Sequence, residues 1–333
     1  MLSCIYLTRK CPNKCVYCKA RDSKVDAELT VEQWKKAFYR LAEMGVDFYL
    51  LLGNELLMKD GIVEIMHFLT NELKVAYAFY STYPEPYYSQ LRQPLIDLGI
   101  TNVSCGVDIQ PLMPVSETHP YYDIYAKAKR GISALSWFAE KGVPDIQATI
   151  TCSKLNSPSL IHLVKYLTAR KFWIGINQIH WDKDGHYDFF PSKADIEYML
   201  LSQDDITNAA SELYRGALEG EYKIQNPPPY FLAWAECGYD LSWHCRNPLI
   251  VTVDADGSYR CCGYRKGDNS PKLNILTDDI STYQLAWEHD QKACPGCFWS
   301  YWWMAEYYRL TETPAYAHGV FATHDTKYFN IKE

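Results

Sequence analysis

Cys11-Pro-Asn-Lys-Cys15-Val-Tyr-Cys18 sets three thiols in one short stretch, with three and then two residues between them. Four residues of extended chain reach at most about 14 Å, so such a loop can wrap a small inorganic core. A [4Fe–4S] cluster takes one cysteine thiolate per iron. Three local thiolates therefore hold three irons and leave the fourth open to a small molecule. A zinc knuckle, or three separate thiols packed as small hydrophobes, is the competing reading. Zinc sites more often show paired cysteines than this uneven triplet.

Six of the twelve cysteines, Cys237, Cys245, Cys261, Cys262, Cys294 and Cys297, fall late in the chain. Among them Asp254-Ala-Asp-Gly257 separates Leu249–Val253 from Ser258–Cys262 and reads as a hairpin turn. This tail is expected to be a small, metal-stapled second module.

The elements that would position these thiols alternate. An apolar run at Leu2–Leu7 feeds the first cysteine. Thr30 with Gln33 makes a capping box for a helix carrying Trp34, Phe38, Leu41 and Met44, stopped at Gly45. Val46–Leu52 reads as a strand covered on both faces. Helices are expected at Ile62–Leu73, Tyr87–Leu98 and Tyr122–Lys141, and at a segment capped by Ser157 with Pro158 behind it. Strands are expected at Val75–Tyr80, Asn102–Val107, Asp145–Cys152 and Phe172–His180. Six such units argue for parallel strands with right-handed crossovers, in an open sheet or a partial barrel. Beyond them Lys193–Leu218 reads as helical, and Asn226-Pro-Pro-Pro-Tyr230 breaks the chain. A domain boundary is placed there, giving 1–222 and 223–333.

The 333 residues suffice for one large or two moderate domains, and 48% hydrophobic with 15% aromatic residues is a globular composition. A formal charge of −7 gives no reason to expect a nucleic-acid partner. The first ten residues are too short and polar for a signal peptide, and no apolar run is long enough to span a bilayer. Twelve cysteines without an export signal point to a reducing compartment, so a cytoplasmic metalloprotein is expected.

Cys11-x3-Cys15-x-Tyr17-Cys18 directly after a first strand resembles the signature of radical S-adenosylmethionine (radical SAM) enzymes, in which an aromatic residue commonly precedes the third cysteine. Further features follow in the family's order over about the first 180 residues. Gly53-Asn54-Glu55-Leu56 resembles its Gly-Gly-Glu-Pro segment, and Ser104–Asp108 sits where a ribose-contacting fourth strand belongs. Thr149-Ile-Thr-Cys-Ser-Lys-Leu-Asn156 is similar to its fifth strand and Asn-containing turn.

The resemblance implies a partial (β/α)6 TIM-like barrel in which the SAM amine and carboxylate chelate the open iron. Reduction of the cluster would then cleave SAM homolytically and release a 5′-deoxyadenosyl radical. Glu55 would accept a hydrogen bond from the methionyl ammonium. Arg130 would pair with the SAM carboxylate, a solvated helix charge being its alternative. Two departures stand out: Asn54 and Leu56 replace a glycine and a proline, and Gly106 occupies a place where a hydroxyl is expected. Ser104 or Asp108 is left to contact the ribose.

Cys245, then Gly257-x4-Cys262, then Cys294-Pro-Gly-Cys297 resembles the Twitch module, the shorter relative of the SPASM domain, which carries an auxiliary [4Fe–4S] cluster. Zinc held by four cysteines is the alternative. Cys261 competes with Cys262 as ligand, and Cys237 with Cys245. If spare, Cys237 and Cys261 are candidate hydrogen-atom donors to a substrate radical, with ordinary packing as the alternative. Cys4, Cys105 and Cys152, on strands, are read as core residues.

Phe298-Trp299-Ser300-Tyr301-Trp302-Trp303 would shield a cluster, and Tyr307, Tyr308 and Arg309 would cap the barrel mouth. Tyr80, Tyr83, Asn177, His180 and Asp182 lie near strand ends, where barrels place substrate contacts.

The implied function is hydrogen abstraction leading to oxidation or bond formation, with the auxiliary cluster accepting an electron. A redox-neutral epimerisation using Cys237 or Cys261 is the rival, and a non-catalytic metal-stapled scaffold the reading from another class. The chain opens almost on its first strand. The expected substrate is therefore a small molecule, or a peptide presented by a separate protein. Flavodoxin or ferredoxin is the expected electron donor.

Overall fold

Parallel pairing organises the first 180 residues. This computed structural model describes residues 2–19, 22, 25, 27–109, 116–119, 121–181, 190–240, 250–260 and 273–292, the last helix at 290 and 291 by its backbone alone. Strand β1 (Leu2–Tyr6) pairs in parallel with β2 (Phe48–Leu52), and β2 with β3 (Ala76–Phe79). A second sheet runs β4 (Asn102–Gly106), β5 (Asp145–Cys152) and β6 (Trp173–Gln178), again parallel. A parallel bridge between Tyr80 and Ser104 joins the two. There the Asn102 side-chain oxygen takes the Phe79 N–H at 3.2 Å and stands in for a ladder bond.

The helices between the strands form where the apolar spacing predicts. Thr30 and Gln33 cap α1 (Val31–Glu43) reciprocally, Gln33 N–H donating to Thr30 Oγ1 and Thr30 N–H to Gln33 Oε1. Trp34, Phe38 and Leu41 are wholly buried against β2, where Phe38 meets the Tyr49 ring edge-on at 5.4 Å. Helix α2 (Ile62–His67) runs on as a π-helical turn, Phe68–Leu73. Then come α3 (Tyr87–Asp97), α4 (Tyr122–Glu140) and α5 (Leu160–Ala169). No helix among the described residues is long and apolar enough to cross a membrane.

Several local expectations are corrected. Strand β2 is not covered equally on both faces: Tyr49 and Leu51 are buried under α1, while Phe48, Leu50 and Leu52 are half-buried. Ser157 does not cap a helix. It opens a 3-10 turn, Ser157–Ser159, that feeds α5. Lys193–Leu218 is two helices, α6 (Lys193–Ile196), which Ser192 and Asp195 cap, and α7 (Gln203–Leu218), because Ser202 and Asp205 form a fresh capping box.

The proline run opens a helix. Pro228 and Pro229 occupy the first turn of α8 (Pro228–Cys237), where a missing N–H leaves nothing unsatisfied, and α8 packs on α7. Just before it the chain lies along β6: Ile174 N–H donates to Lys223 O, Gln225 N–H to Ile174 O, and Asn226 bonds both the N–H and the C=O of Ile176.

Strand β7 (Ile250–Val253) pairs in parallel with the free edge of β1. Strands β8 (Ser258–Arg260) and β9 (Leu273–Asn274) follow antiparallel, before α9 (Thr282–Lys292). Segments on both sides of 222/223 therefore share one sheet and one core.

Register and strand alternation sort the second sheet into two faces. Cys105, Ala148, Ile174 and Ile176 face the helices; Gly131 of α4 lies so close to Cys105 Sγ that a Cβ would not fit. Ser104, Gly106, Gln147, Thr149, Thr151 and Asn177 share the opposite, polar face.

Asn226→Ala should strip the buried Ile176 N–H and C=O of their partners and cost about 2–4 kcal/mol. The shift in the urea midpoint at unchanged slope measures it.

Candidate functional site

The cysteine loop is rooted at the carboxyl end of β1. Glu28 Oε1 accepts from Thr8 Oγ1 and from Arg9 N–H, both at 2.7 Å. Asn54, after β2, donates its backbone N–H to Thr8 O and its side-chain Nδ2 to Arg9 O at 2.6 Å. Gly53 lies so near Thr8 that a Cβ would sit 3.2 Å from Thr8 Cγ2. Arg9 itself forms a buried ion pair with Asp254, Nε to Oδ1 at 2.6 Å, at the β7–β8 turn. The root of the loop is thus held from β2 on one side and from the hairpin on the other.

Within the loop Cys18 N–H donates to Cys15 O at 3.1 Å, and Cys11, Cys15 and Cys18 are partly exposed and form no disulfide. Asn13 sits between the first two. Its Nδ2 donates to Thr82 Oγ1 at 2.7 Å and approaches Cys11 Sγ at 3.7 Å, and its Oδ1 accepts from Arg130 Nη2 at 3.1 Å. Thr82 in turn donates through N–H and Oγ1 to Glu55 Oε2. Ser81 Oγ at 2.6 Å and Leu57 N–H at 3.1 Å donate to Glu55 Oε1.

Burial pushes the Glu55 carboxyl above its ordinary range, and the bonds from Ser81, Thr82 and Leu57 restrain that rise. The turn presenting Ser81 and Thr82 ends at Tyr83, whose φ of 52° is costly for a side-chain-bearing residue. Its buried ring packs against Tyr88 and Phe138, which offsets that cost.

A second anchor holds Tyr17, between Cys15 and Cys18. Its hydroxyl donates to Asp108 Oδ2 and accepts from Lys127 Nζ at 2.8 Å, while Lys127 also donates to Asp108 Oδ2. Thr151 N–H donates to Asp108 Oδ1 at 2.8 Å. Burial alone would raise the Asp108 carboxyl, yet the Lys127 ammonium, Tyr17 and Thr151 hold it below the usual range. Burial likewise opposes the Lys127 charge, and Asp108 and Tyr17 more than restore it. The Tyr17 phenol is pushed well above its ordinary value by burial and by the Asp108 charge.

Gly106, where a hydroxyl was expected, is instead a gap: a Cβ there would stand 2.7 Å from the Tyr80 hydroxyl and 3.3 Å from Lys127 Nζ. Asn156 ties the ends of β4 and β5, donating to Asp108 O at 2.7 Å and Thr151 O at 2.8 Å and accepting from Ser153 N–H at 3.0 Å. Ser104 is buried, its carbonyl accepting from Ser81 N–H and the Tyr83 hydroxyl.

The expected residues therefore converge. Hydrogen bonds link the cysteine loop to Glu55 and Arg130 through Asn13, and to Asp108 and Asn156 through Tyr17. In this chain Asp108 and Asn156 serve first as ties between elements, because their polar atoms already have partners.

Cys4, Cys105 and Cys152 are wholly buried, and burial pushes the thiols of Cys105 and Cys152 up, as suits core residues. Cys237 closes α8, partly buried against the main core. Of the expected pocket residues, His180 is buried with its ring 5.5 Å from Phe190, and Asn177 is partly exposed beside Thr151. Cys245, Cys261, Cys262, Cys294, Cys297, Asp182, Phe298 to Trp303, Tyr307, Tyr308 and Arg309 lie outside the described residues.

Among the described residues no three His, Cys, Asp or Glu side chains gather round one metal ion. A cluster asks for something else: one thiolate per iron, with the sulfurs standing apart. Three partly exposed cysteines without disulfides, on one hydrogen-bonded loop, suit that requirement.

Comparison with known proteins bears on this geometry. The family model described as the radical SAM superfamily matches residues 5–111. That span takes in the cysteine loop, Gly53–Glu55 and Ser104–Asp108. PqqA peptide cyclase of Rhizobium meliloti (strain 1021) is 23% identical over 249 residues, 71% of this chain and 63% of that protein. The findings support the radical SAM superfamily.

Solved structures show the corresponding fold. Streptococcus suis SuiB bound to S-adenosylmethionine aligns with a TM-score of 0.62 at 14% identity, covering 85% of this chain and 65% of that one. anSMEcpe with bound AdoMet and Cp18Cys peptide aligns at 0.57 and 15%, covering 87% and 82%. The chain spans less than two thirds of the length of PqqA peptide cyclase and of SuiB.

Site features that the sequence alone does not reveal include Asn13, Ser81, Thr82, Lys127 and the Arg9–Asp254 pair. Lys127 had a signal, since it falls at helical spacing among Ile124, Ala128, Gly131 and Leu135, on the buried stripe of α4. Arg9 and Asp254 are 245 residues apart, with nothing local to connect them.

Asp254→Ala should break the buried Arg9–Asp254 ion pair, costing about 3–5 kcal/mol by urea unfolding. A second outcome concerns pH. The stabilisation from Asp108 is complete above the ordinary carboxylate value and is lost as pH falls through its lower folded value. Between about pH 5 and pH 2 the wild-type chain should therefore lose stability more steeply than Asp108→Asn, as unfolding free energy followed against pH will show.

Proposed function

We propose that this chain is a radical SAM enzyme acting on a peptide, with Cys11, Cys15 and Cys18 holding the SAM-binding [4Fe–4S] cluster. The observation that carries it is the cysteine loop at the end of β1, hydrogen-bonded directly to Asp108 and Arg130 and, through Thr82, to Glu55. When bound, the cluster and SAM would supply reductive cleavage to a 5′-deoxyadenosyl radical that takes a hydrogen atom from a substrate carbon.

The chain's own residues orient and enclose. Asn13 and Tyr17 hold the loop, and Arg130 presents a guanidinium beside it, with Nε buried and without a hydrogen-bond partner among the described residues. That free donor supports Arg130 as the group facing the SAM carboxylate. Glu55 and Gly53–Asn54 line the β2 side, and Ser104 stands at the β4 side for the ribose. The six parallel strands, in chain order across the Tyr80–Ser104 bridge, are read as a partial (β/α)6 barrel with the polar sheet face lining its interior.

A peptide substrate is supported by the relatives: a PqqA peptide cyclase, SuiB bound to precursor peptide SuiA, and anSMEcpe with a bound peptide. Cys245, Cys262, Cys294 and Cys297 are proposed to hold an auxiliary [4Fe–4S] cluster that accepts an electron, giving oxidation or bond formation. The support is their spacing and the β7–β8 hairpin, which leads directly to Cys261 and Cys262. The division at 222/223 then separates ligand sets rather than cores. Flavodoxin or ferredoxin is the proposed electron donor, and the cytoplasm, which keeps such thiols reduced, the proposed location.

Anaerobic reconstitution should load about eight irons per chain, as two four-iron clusters require, and give dithionite-dependent 5′-deoxyadenosine. Cys15→Ala should abolish that product. A chain holding only zinc and leaving SAM intact would overturn the proposal. Retained turnover and product stereochemistry in both Cys237→Ala and Cys261→Ala would remove the epimerase alternative.

A further inference from the structure

Helix α4 reaches the cysteine loop twice, with cations three residues apart and hence on one side of the helix. Lys127 takes the Tyr17 hydroxyl, between Cys15 and Cys18, and Arg130 takes the Asn13 side chain, between Cys11 and Cys15. Each gap between cysteines is therefore gripped at one residue. Both grips are braced from a strand end: Tyr17 donates to Asp108, which Thr151 N–H also holds, and Asn13 donates to Thr82, which binds Glu55.

Lys127 is 5% exposed and Asp108 4%, so this ion pair is among the costliest groups in the molecule to bury. A loop positioned only by its metal would need no such pair. Gly106 supplies the opening, because any side chain there would meet Tyr80 and Lys127.

We propose that Lys127 and Arg130 of α4 form a two-point clamp that sets the cysteine loop in its ligand-presenting conformation before any metal is bound. Lys127 is a positioning residue acting through Tyr17, and Asn13 is the corresponding lever for Arg130. The order of events follows. A metal site without such bracing folds when the metal arrives, whereas this loop is ordered first and receives its irons afterwards. The proposal rests on the reading of Cys11, Cys15 and Cys18 as cluster ligands only for its last step.

The test uses the full metal-free chain and then the reconstituted one. Tyr17→Phe keeps the ring and leaves the Lys127–Asp108 pair in place. Amide hydrogen exchange at 13–18 should accelerate about tenfold in the metal-free variant while β5 and β6 exchange as in wild type. Lys127→Met with Asp108→Asn removes both buried charges together and should give the same local loosening. After reconstitution, the Tyr17→Phe electron paramagnetic resonance signal of the reduced cluster should be heterogeneous and respond less to added SAM.

Wild-type exchange at 13–18 in both variants would overturn the clamp. So would a metal-free wild-type loop that already exchanges as fast as an unstructured segment. If the exchange result holds and no iron is incorporated, the clamp stands and the cluster reading of the preceding section falls.

Discussion

Burying the Asp108 carboxylate is tolerable only because an ammonium, a phenol and a backbone N–H converge on it. That requirement binds four separate pieces of chain. Lys127 brings α4, Tyr17 brings the cysteine loop, Thr151 brings the end of β5, and Asp108 itself follows β4. Removing any one donor leaves charge in a region with little water to answer it. The position of the cysteine loop is therefore fixed by several elements at once.

The same logic operates at the root of the loop. Arg9 precedes the first cysteine by two residues, and its guanidinium is satisfied by Asp254 at the β7–β8 turn. Strand β7 reaches that position by adding in parallel to β1. The late part of the chain thus contributes to the first cysteine site through sheet pairing and one ion pair. The β7–β8 hairpin is thereby fixed to the segment that leads to Cys11.

The support for the radical SAM superfamily and the hydrogen-bond geometry meet in residues 5–111, where the family model matches. Arg130, Lys127 and Asn156 lie beyond that span, yet they complete the network. Two departures from the family's pattern also find physical roles. Asn54, in place of a glycine, pins Arg9 O, and Gly106, in place of a hydroxyl, makes room for Tyr80 and Lys127. A change of residue at either position is a change in how the loop is held.

Local chemistry was legible in the sequence. The capping box at Thr30, the stop at Gly45, the six strand-and-helix units and the three thiols all follow from residues near one another in the chain. The partners of those thiols did not follow. Asn13, Tyr17, Glu55 and Asp108 acquire their roles from Thr82, Lys127 and Thr151, which reach them only once parallel strands bring their carboxyl ends to one edge. The proline run at 227–229 shows the same limit: locally it reads as a break, but with α7 and β6 in place it starts a helix. Sequence determined which groups were available and which elements would carry them. Tertiary structure decided which charges were buried together, because pairing across 245 residues depends on sheet register rather than on any local propensity.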